Sequence, residues 1–299
     1  MILVTGTTGM TGQYVVQELQ RRGYTVRGLV RESSVDKANA LGIVPVLGDL
    51  SDFAGLHRAM ADVTGVVHVA CTFTDNAIDL AAMGVLLDNW RQGPFVFISS
   101  LDVYGLTEEN PIDEARPLRE DYGDYGRGKV LAERLLAAKA AVMGRTDYTA
   151  IRAPHILGPH PKGYQRFLAK IPDGGTLLLP GADAAEWSTY RDAWIDVRDL
   201  AWVIAETVER PIGGALNVLS GHFSWHDFYA ELIRKTGSSC QLQQKSLAAM
   251  TAEERTAAES YACRWLFDDA KVRSRLNFQP QYTLPQTIDA MAQARNNGK

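Results

Sequence analysis

The first half of the chain alternates short apolar runs with longer amphipathic stretches. The apolar runs are rich in β-branched residues and bounded by glycine and polar residues, which predicts buried strands. These strands are residues 2–4, 25–30, 43–47, 65–69, 95–98 and 148–152. Between them, apolar residues recur at three- and four-residue spacing over 11–22, 77–90 and 125–143, which predicts helices. The alternation is typical of βαβ units and therefore of an α/β fold built on a parallel sheet.

After Pro154 this pattern breaks. Residues 159–191 contain repeated proline and glycine, which predicts an irregular segment suited to cover a substrate. A helical pattern over 199–209 and a strand pattern over 215–219 then return to the sheet, and the chain from residue 224 is mostly helical in pattern. We therefore predict that 1–158 and 192–219 form one domain, and that 159–191 and 220–299 form a second, substrate-binding region.

Composition narrows the class of protein. The 299 residues are 46% hydrophobic and 22% charged, which is ordinary for a globular protein, and the net charge of −4 disfavours nucleic acid or an anionic membrane as partner. Cys71, Cys240 and Cys263 are too few and too scattered for a disulfide framework or a zinc site. No apolar run approaches the roughly 20 residues that cross a bilayer. We expect no metal site and a reducing cytoplasmic location.

A glycine-rich turn, Thr5-Gly6-Thr7-Thr8-Gly9-Met10-Thr11-Gly12, joins the first predicted strand to the first helix. Glycines at this spacing permit a tight turn, a close approach of the backbone to a pyrophosphate, and close packing of helix on strand. The helix N-terminus then offers free N–H groups to phosphate. The alternative is a turn that binds nothing. We predict a dinucleotide held by Thr5, Gly6, Thr8, Gly9, Met10 and Gly12.

The end of the second strand bears on which dinucleotide is bound. Val30 stands where an NAD-binding fold places an acidic residue for the ribose 2′-hydroxyl, and Arg31 follows. Because a guanidinium suits a 2′-phosphate, the sequence favours NADP(H), with NAD(H) and a solvated surface arginine as alternatives. Asp49, followed by Leu50, is predicted to contact adenine or else to cap the next helix. Ala70, after the fourth strand, is a further predicted cofactor contact.

Tyr125 and Lys129 are four residues apart on a predicted helix, so their side chains share one face. A free phenol has a pKa near 10, and a neighbouring ammonium and the positive charge of an oxidised nicotinamide would both favour the phenolate. Tyr125 and Lys129 are also predicted cofactor contacts, Lys129 through the nicotinamide ribose. The flanking Gly126 and Gly128 cost helix stability, which indicates a close approach to the backbone, for which we expect the cofactor. The alternative is an ordinary helix surface. Ser100, after the strand 95–98, is the predicted third member.

These motifs resemble the extended short-chain dehydrogenase/reductase family over nearly the whole chain. Its loop spacing matches Thr5-Gly6-x-x-Gly9-x-x-Gly12, its serine segment resembles residues 98–105, and its tyrosine helix resembles residues 125–133. The resemblance implies a doubly wound parallel Rossmann sheet with a smaller, mostly helical C-terminal substrate domain. It also implies hydride transfer by Ser100, Tyr125 and Lys129, with Ser99 structural, and often a homodimer.

Three candidate substrate residues follow from the same resemblance. His155 stands where relatives often have a substrate-contacting asparagine, although a structural histidine is an equal alternative. Arg191 is one residue out of register with an arginine of nucleotide-sugar epimerases. Asp102 follows the serine where dehydratases place carboxylates, or else bonds to its own turn.

The leading hypothesis is an NADP(H)-dependent oxidoreductase that transfers hydride between the nicotinamide and a small carbonyl or alcohol. The second is a nucleotide-sugar epimerase or dehydratase with a retained NAD. The third is a non-enzymatic NADP-sensing regulator; such relatives commonly lose the tyrosine or lysine, and both are present here.

Overall fold

The structure, a computed structural model, describes residues 1–107 and 110–297. Residues 298–299, the end of the predicted second region, lie outside that part of the chain. Seven parallel strands form the central sheet, in the order β10-β6-β5-β4-β1-β2-β3. They are β1 (Ile2–Thr5), β2 (Val26–Val30), β3 (Val44–Leu47), β4 (Val66–His68), β5 (Phe95–Ser100), β6 (Tyr148–Ala153) and β10 (Gly214–Asn217). The order reverses between β1 and β4, which is the point where open α/β sheets bind ligands.

The helices between these strands cover both faces of the sheet. They are α1 (Met10–Arg21), α2 (Val35–Ala40), α3 (Phe53–Ala59), α4 (Asn76–Asp88), α5 (Gly123–Val142) and α8 (Val197–Glu209). Apolar residues of α1 and α8 join one buried cluster, and those of α3, α4 and α5 join another on the opposite face. The doubly wound Rossmann sheet is therefore confirmed. All seven strands predicted for this sheet are present, with ends that differ by one or two residues.

The rest of the chain forms a smaller region around an aromatic core. Its helices are α6 (Pro161–Leu168), α7 (Ala184–Trp187), α9 (Trp225–Thr236), α10 (Ala252–Ala258) and α12 (Leu284–Asn297), whereas α11 (Ala270–Leu276) packs against the first domain. Its strands are β7 (His155–Leu157), β8 (Thr176–Pro180), β9 (Arg191–Asp196), β11 (Gly221–Ser224) and β12 (Gln241–Lys245). They pair as two small sheets, β11-β9-β7 and β12-β8.

Two features differ from the predicted organisation. The segment 159–191, predicted to be irregular, contains α6, β8 and α7, because its prolines and glycines separate short elements instead of preventing them. Near the C-terminus, Val272, Leu276 and Phe278 pack into the core of the first domain, on the face of α1 and α8. Within the described residues, every helix is too short or too polar to traverse a lipid bilayer.

Candidate active site

The glycine-rich turn has the geometry that a pyrophosphate requires. Gly6 has a φ of 73°, and a Cβ placed on Gly12 would lie 2.0 Å from the carbonyl oxygen of Gly6. The turn and the start of α1 therefore pack too closely for a side chain. Gly9 caps α1 without a side-chain hydrogen bond, which leaves the N–H groups of the first turn available. The residues present thus fit a dinucleotide phosphate at this helix terminus.

A buried hydrogen-bond network connects this turn to the end of β4. Oγ1 of Thr5 accepts from the backbone N–H groups of Val69 and Ala70, at 3.1 Å each. Both of its lone pairs are used, so its O–H donates to Nδ1 of His68 at 2.8 Å. Burial, together with Lys129, lowers the pKa of His68 to about 3. His68 is therefore a neutral structural group, with its proton on Nε2.

A cavity of about 1200 Å³ follows the carboxyl edge of the sheet. Arg31 lines this cavity at the end of β2. Ser34 and Lys37 line the same part of the cavity, and Nζ of Lys37 donates to the carbonyl oxygen of Thr8 at 2.8 Å. Sequence reasoning missed both. The sequence feature that could have indicated Ser34 and Lys37 is the polar turn after Arg31, which leads into α2.

Asp49 and Leu50 also line this cavity. Oδ1 of Asp49 accepts from the backbone N–H and the hydroxyl of Ser51, at 2.8 Å and 2.6 Å. The N-cap of α3 is Asp52, whose carboxylate accepts from Gly55. The alternative in which Asp49 caps that helix is therefore wrong, because Asp49 closes the preceding turn. Its contact with adenine stays a prediction.

Ser100, Tyr125 and Lys129 come together where β5 ends against α5. Nζ of Lys129, which is buried, donates to the carbonyl oxygen of Ile98 at 2.8 Å and lies 5.5 Å from the centroid of the Tyr125 ring. Ser100 lies close enough to Tyr125 to offset part of the rise that burial causes in the pKa of the phenol. The hydroxyl of Ser99, by contrast, is buried and has no hydrogen-bond partner among the described residues. The three predicted groups thus meet at one point of the cavity wall.

The electrostatics of this point differ from the prediction. Burial is the largest effect on Tyr125 and raises its pKa, and the neighbouring Cys71 and Asp102 raise it further. Burial also lowers the pKa of Lys129. Protein groups alone therefore raise the pKa of the phenol instead of lowering it, and the combined effect of the ammonium and an oxidised nicotinamide stays a prediction.

Gly126 and Gly128 have a different reason from the one predicted. A Cβ on Gly128 would lie 2.0 Å from Oδ1 of Asn76, and one on Gly126 would lie 3.1 Å from the carbonyl oxygen of Asp102. The close approach is made by the start of α4 and by the turn after β5. The expectation that the cofactor approaches these glycines is therefore wrong, because protein atoms occupy that space.

Two of the three candidate substrate residues lie beside this point. Asp102 follows Ser100, and its backbone N–H donates to Oγ of Ser100 at 3.2 Å. Burial raises the pKa of Asp102, as does Asp192, whereas His155 lowers it. Nε2 of His155 is 3.0 Å from Oδ2 of Asp192. Asp102, His155 and Asp192 therefore form one polar group on the cavity wall.

Arg191 does not belong to this group. Its side chain is exposed, and its Nε donates to the carbonyl oxygen of Ser188 at 2.9 Å. Side chains alternate along a strand, so Asp192, the next residue of β9, faces the cavity instead. The candidate substrate role of Arg191 is corrected accordingly. The one-residue register difference seen in the sequence was the signal for this.

Several cavity residues come from the second region and were not predicted. Arg166 of α6 reaches towards His155, with 3.5 Å between its Nη2 and Nδ1 of the imidazole. The remaining wall is mainly aromatic: Tyr122, Phe167, Trp225, Tyr229, Tyr261, Trp265 and Phe267. Their sequence positions are spread over more than 140 residues, so no local pattern connects them.

Comparison with known proteins agrees with this fold. Residues 2–218 match the model of the NAD dependent epimerase/dehydratase family. A UDP-glucose 4-epimerase from Thermotoga maritima, solved with UDP-glucose, superposes with a TM-score of 0.79 at 20% identity, covering 99% of both chains. A short-chain dehydrogenase/reductase superfamily protein from Agrobacterium tumefaciens with bound NAD gives a TM-score of 0.77 at 21% identity, covering 100% of this chain and 98% of that one.

Similar sequences include enzymes with different reactions. A sterol-4-alpha-carboxylate 3-dehydrogenase (decarboxylating) of Dictyostelium discoideum is 28% identical over 52% of this chain and 53% of its own length. A putative dihydroflavonol 4-reductase of Synechocystis is 44% identical over 52% of this chain and 49% of its own. The chain thus spans about half the length of these two relatives.

The fold and the motif residues define an NAD(P)-binding enzyme of the extended short-chain dehydrogenase/reductase type. The chain belongs to the NAD-dependent epimerase/dehydratase family. Members of this family are oxidoreductases, epimerases and dehydratases, and all of them use a nicotinamide cofactor.

Proposed function

We propose that the protein is an NADP(H)-dependent oxidoreductase that interconverts a small carbonyl compound and its alcohol. The observation that carries this proposal is the meeting of Ser100, Tyr125 and Lys129 at the carboxyl edge of the sheet, beside the phosphate turn. The bound nicotinamide would supply or accept the hydride. The side chains would handle the proton and hold the substrate oxygen.

Tyr125 is proposed to exchange the proton with the substrate oxygen. Burial raises its pKa and keeps the phenol protonated, which suits a donor to the oxygen of a carbonyl that is being reduced. Ser100 lines the cavity beside Tyr125 and is proposed to hold the same oxygen. Lys129, fixed by Ile98, places a positive charge beside the phenol and stabilises the phenolate that forms when the proton leaves.

The preference for NADP(H) is part of the proposal. Arg31, Ser34 and Lys37 line the cavity next to the end of β2, and Val30 takes the place of the acidic residue that an NAD-binding fold uses there. Two cations and a hydroxyl suit a 2′-phosphate. Asp49, Leu50 and Ala70 are proposed to contact the remainder of the nucleotide.

A dehydratase or epimerase with a retained NAD is the second candidate, and Asp102 favours it. This carboxyl is half-buried next to Ser100, and desolvation raises its pKa. A group of that kind can remove or return a second proton during a reaction in which hydride leaves and returns to the same substrate. The intact Ser100, Tyr125 and Lys129 argue against the non-enzymatic regulator. The cytoplasmic location and the homodimer stay predictions.

Native mass spectrometry of the purified protein separates the two enzyme candidates. We expect no retained dinucleotide, uptake of one NADPH per chain on titration, and oxidation of that NADPH, followed by absorbance, when aldehydes and ketones are added. Co-purified NAD that survives dialysis, together with no net NADPH oxidation, would favour the epimerase or dehydratase instead.

A further inference from the structure

Helix α6 presents three cations to the cavity. Lys162, Arg166 and Lys170 are spaced four residues apart, and all three line the cavity. Lys162 lies at the end of the cavity beside the glycine-rich turn. It interacts electrostatically with His160, which also interacts with Lys37 near that turn. Arg166 lies one turn further on, at the end that holds the reacting groups.

Arg166 is the cation nearest the proposed chemistry. Its charge interacts with Tyr125, Asp102 and Asp192, and the surrounding walls desolvate it and lower its pKa. Its guanidinium carbon lies 4.5 Å from the centroid of the Phe167 ring. Since Lys162 belongs to the phosphate-turn end, the position of Arg166 suits a substrate group better than a cofactor phosphate.

In the described part of the chain, the guanidinium of Arg166 lacks a carboxylate partner, unlike those of two other arginines. Arg152 is 2.8 Å from Glu133, and Arg198 is 2.7 Å from Asp196. Among the residues that the structure describes, no carboxylate forms such an ion pair with Arg166, and its hydrogen bond is the long contact to Nδ1 of His155 at 3.5 Å. The side chain of Arg166 is exposed to the open cavity, so its charge is accessible to an incoming anion.

The neighbouring carboxylates are directed elsewhere. A guanidinium can only donate, so Nδ1 of His155 must accept and Nε2 must donate its proton to Asp192. The other oxygen of Asp192 accepts from the backbone N–H of Ala193 at 2.7 Å. Asp102 hydrogen-bonds with Ser100. Arg166 is thus oriented by His155 and leaves most of its donors facing the cavity.

From this geometry we propose that Arg166 binds an anionic group of the substrate, a carboxylate or a phosphate, while the aromatic wall holds an apolar or aromatic body. Trp225, Tyr229 and Phe167 lie on the same side of the cavity as Arg166 and supply that wall. The substrate class is then an anionic carbonyl compound or its alcohol. This inference rests on the proposed function for the identity of the reacting group, but its binding test does not depend on turnover.

Calorimetric binding of three small probes to the NADP⁺-saturated protein tests the site. The probes are benzoate, phenyl phosphate and benzyl alcohol, which share a ring and differ in charge. We expect at least one anion to bind roughly tenfold more tightly than the alcohol, since a charge-assisted pair in a desolvated site is worth that factor or more. The anion that binds more tightly identifies the carboxylate or the phosphate as the preferred group.

Arg166→Gln should weaken that anion roughly tenfold and leave benzyl alcohol within about twofold, and Arg166→Lys should restore part of the loss. Arg234→Gln, a loss of the same charge at an exposed pair with Glu231, should change nothing. Circular dichroism confirms that each variant is folded. Equal affinity of the wild type for all three probes overturns the proposal. Weakened NADP⁺ with unchanged anion binding also overturns it, because Arg166 would then belong to the cofactor.

A parallel assay keeps the two proposals apart. NADPH oxidation is followed with benzaldehyde and with 4-formylbenzoate. Selective anion binding without reduction of either aldehyde would contradict the oxidoreductase proposal and support the anion site. Reduction of both aldehydes at equal kcat/KM, with no change in Arg166→Gln, would support the oxidoreductase proposal and contradict the anion site.

Discussion

The ring of Phe73 stacks on the ring of Tyr125, with centroids 5.5 Å apart and planes inclined by 14°. Phe73 lies between β4 and α4, has a φ of 65°, and is 71% exposed. A left-handed backbone costs a bulky residue about 1–2 kcal/mol, and exposure of the ring to water adds to that. Phe73 therefore contributes to neither stability nor solubility at this position. Such a residue is expected where the side chain has a role in the active site.

Replacement of Phe73 by asparagine should separate these two effects. Asparagine tolerates the left-handed region, so the free energy of unfolding should stay constant or rise by up to about 1 kcal/mol. Loss of the ring over Tyr125 should raise KM by roughly two- to tenfold, the value of one aromatic contact. Urea unfolding and steady-state kinetics measure both. Phe53→Asn, at an exposed phenylalanine of α3, should leave KM alone; a Phe73→Asn enzyme with normal KM would contradict the role of the ring.

The two cations at the end of β2 should determine cofactor preference. Arg31→Ala and Lys37→Ala should each weaken NADPH by roughly tenfold and leave NADH within about twofold, because only NADPH carries the 2′-phosphate. Fluorescence titration with both cofactors gives the ratio. Arg21→Ala, on the exposed face of α1, is the control. Equal losses for NADPH and NADH would mean that the cations hold a part common to both.

His68 should make the fold sensitive to acid. Its pKa is lowered to about 3 in the folded protein and is near 6.5 when unfolded, so the unfolded state binds the extra proton first. The contribution of neutral His68 to the free energy of unfolding is complete above pH 6.5 and is lost as the pH falls towards 3. Between pH 7 and 4.5 the loss should be about 2–3 kcal/mol. Urea unfolding of His68→Gln should lack this component of the pH dependence, whereas exposed His57→Gln should keep it; identical slopes would refute the assignment.

The buried pair of Arg152 and Glu133 should hold α5 against the sheet. The two side chains are 2.8 Å apart, and Arg152 also donates to the hydroxyl of Tyr104 at 2.7 Å. Glu133→Gln leaves the guanidinium without its counter-charge and should lower the free energy of unfolding by about 3–5 kcal/mol. Glu231→Gln, at an exposed pair, should cost less than about 1 kcal/mol. Similar losses of unfolding free energy in the two variants would show that the buried pair stabilises the fold no more than an exposed pair does.

Local patterns in the sequence predicted the frame of the molecule well. Apolar runs specify buried parallel strands because both faces of such a sheet are covered. The glycines at 6 and 12 specify a turn in which a side chain would be strained or would clash. Ser100, Tyr125 and Lys129 could be assigned because each stands at a fixed place relative to a strand end or a helix face.

The substrate side could not be predicted in the same way. Asp192 and Arg166 meet His155 only because β9 pairs with β7 and α6 folds over the cavity, and these contacts span gaps of 37 and 11 residues. Gly128 shows a related limit. The sequence indicates that something approaches the helix, but only the packing of α4 identifies Asn76 as the group that does.

Transfer of deuterium from NADPH labelled at C4 of the nicotinamide, to the alcohol formed from an added carbonyl compound, tests the central claim most directly. Mass spectrometry of the product should find the label on the former carbonyl carbon with the wild type. Tyr125→Phe should lower that transfer by at least about 100-fold while binding NADPH normally, and Tyr14→Phe, at a partly buried tyrosine outside the cavity, should not. Label transfer that is undiminished in Tyr125→Phe, or absent from the wild type with every carbonyl compound, would contradict the account.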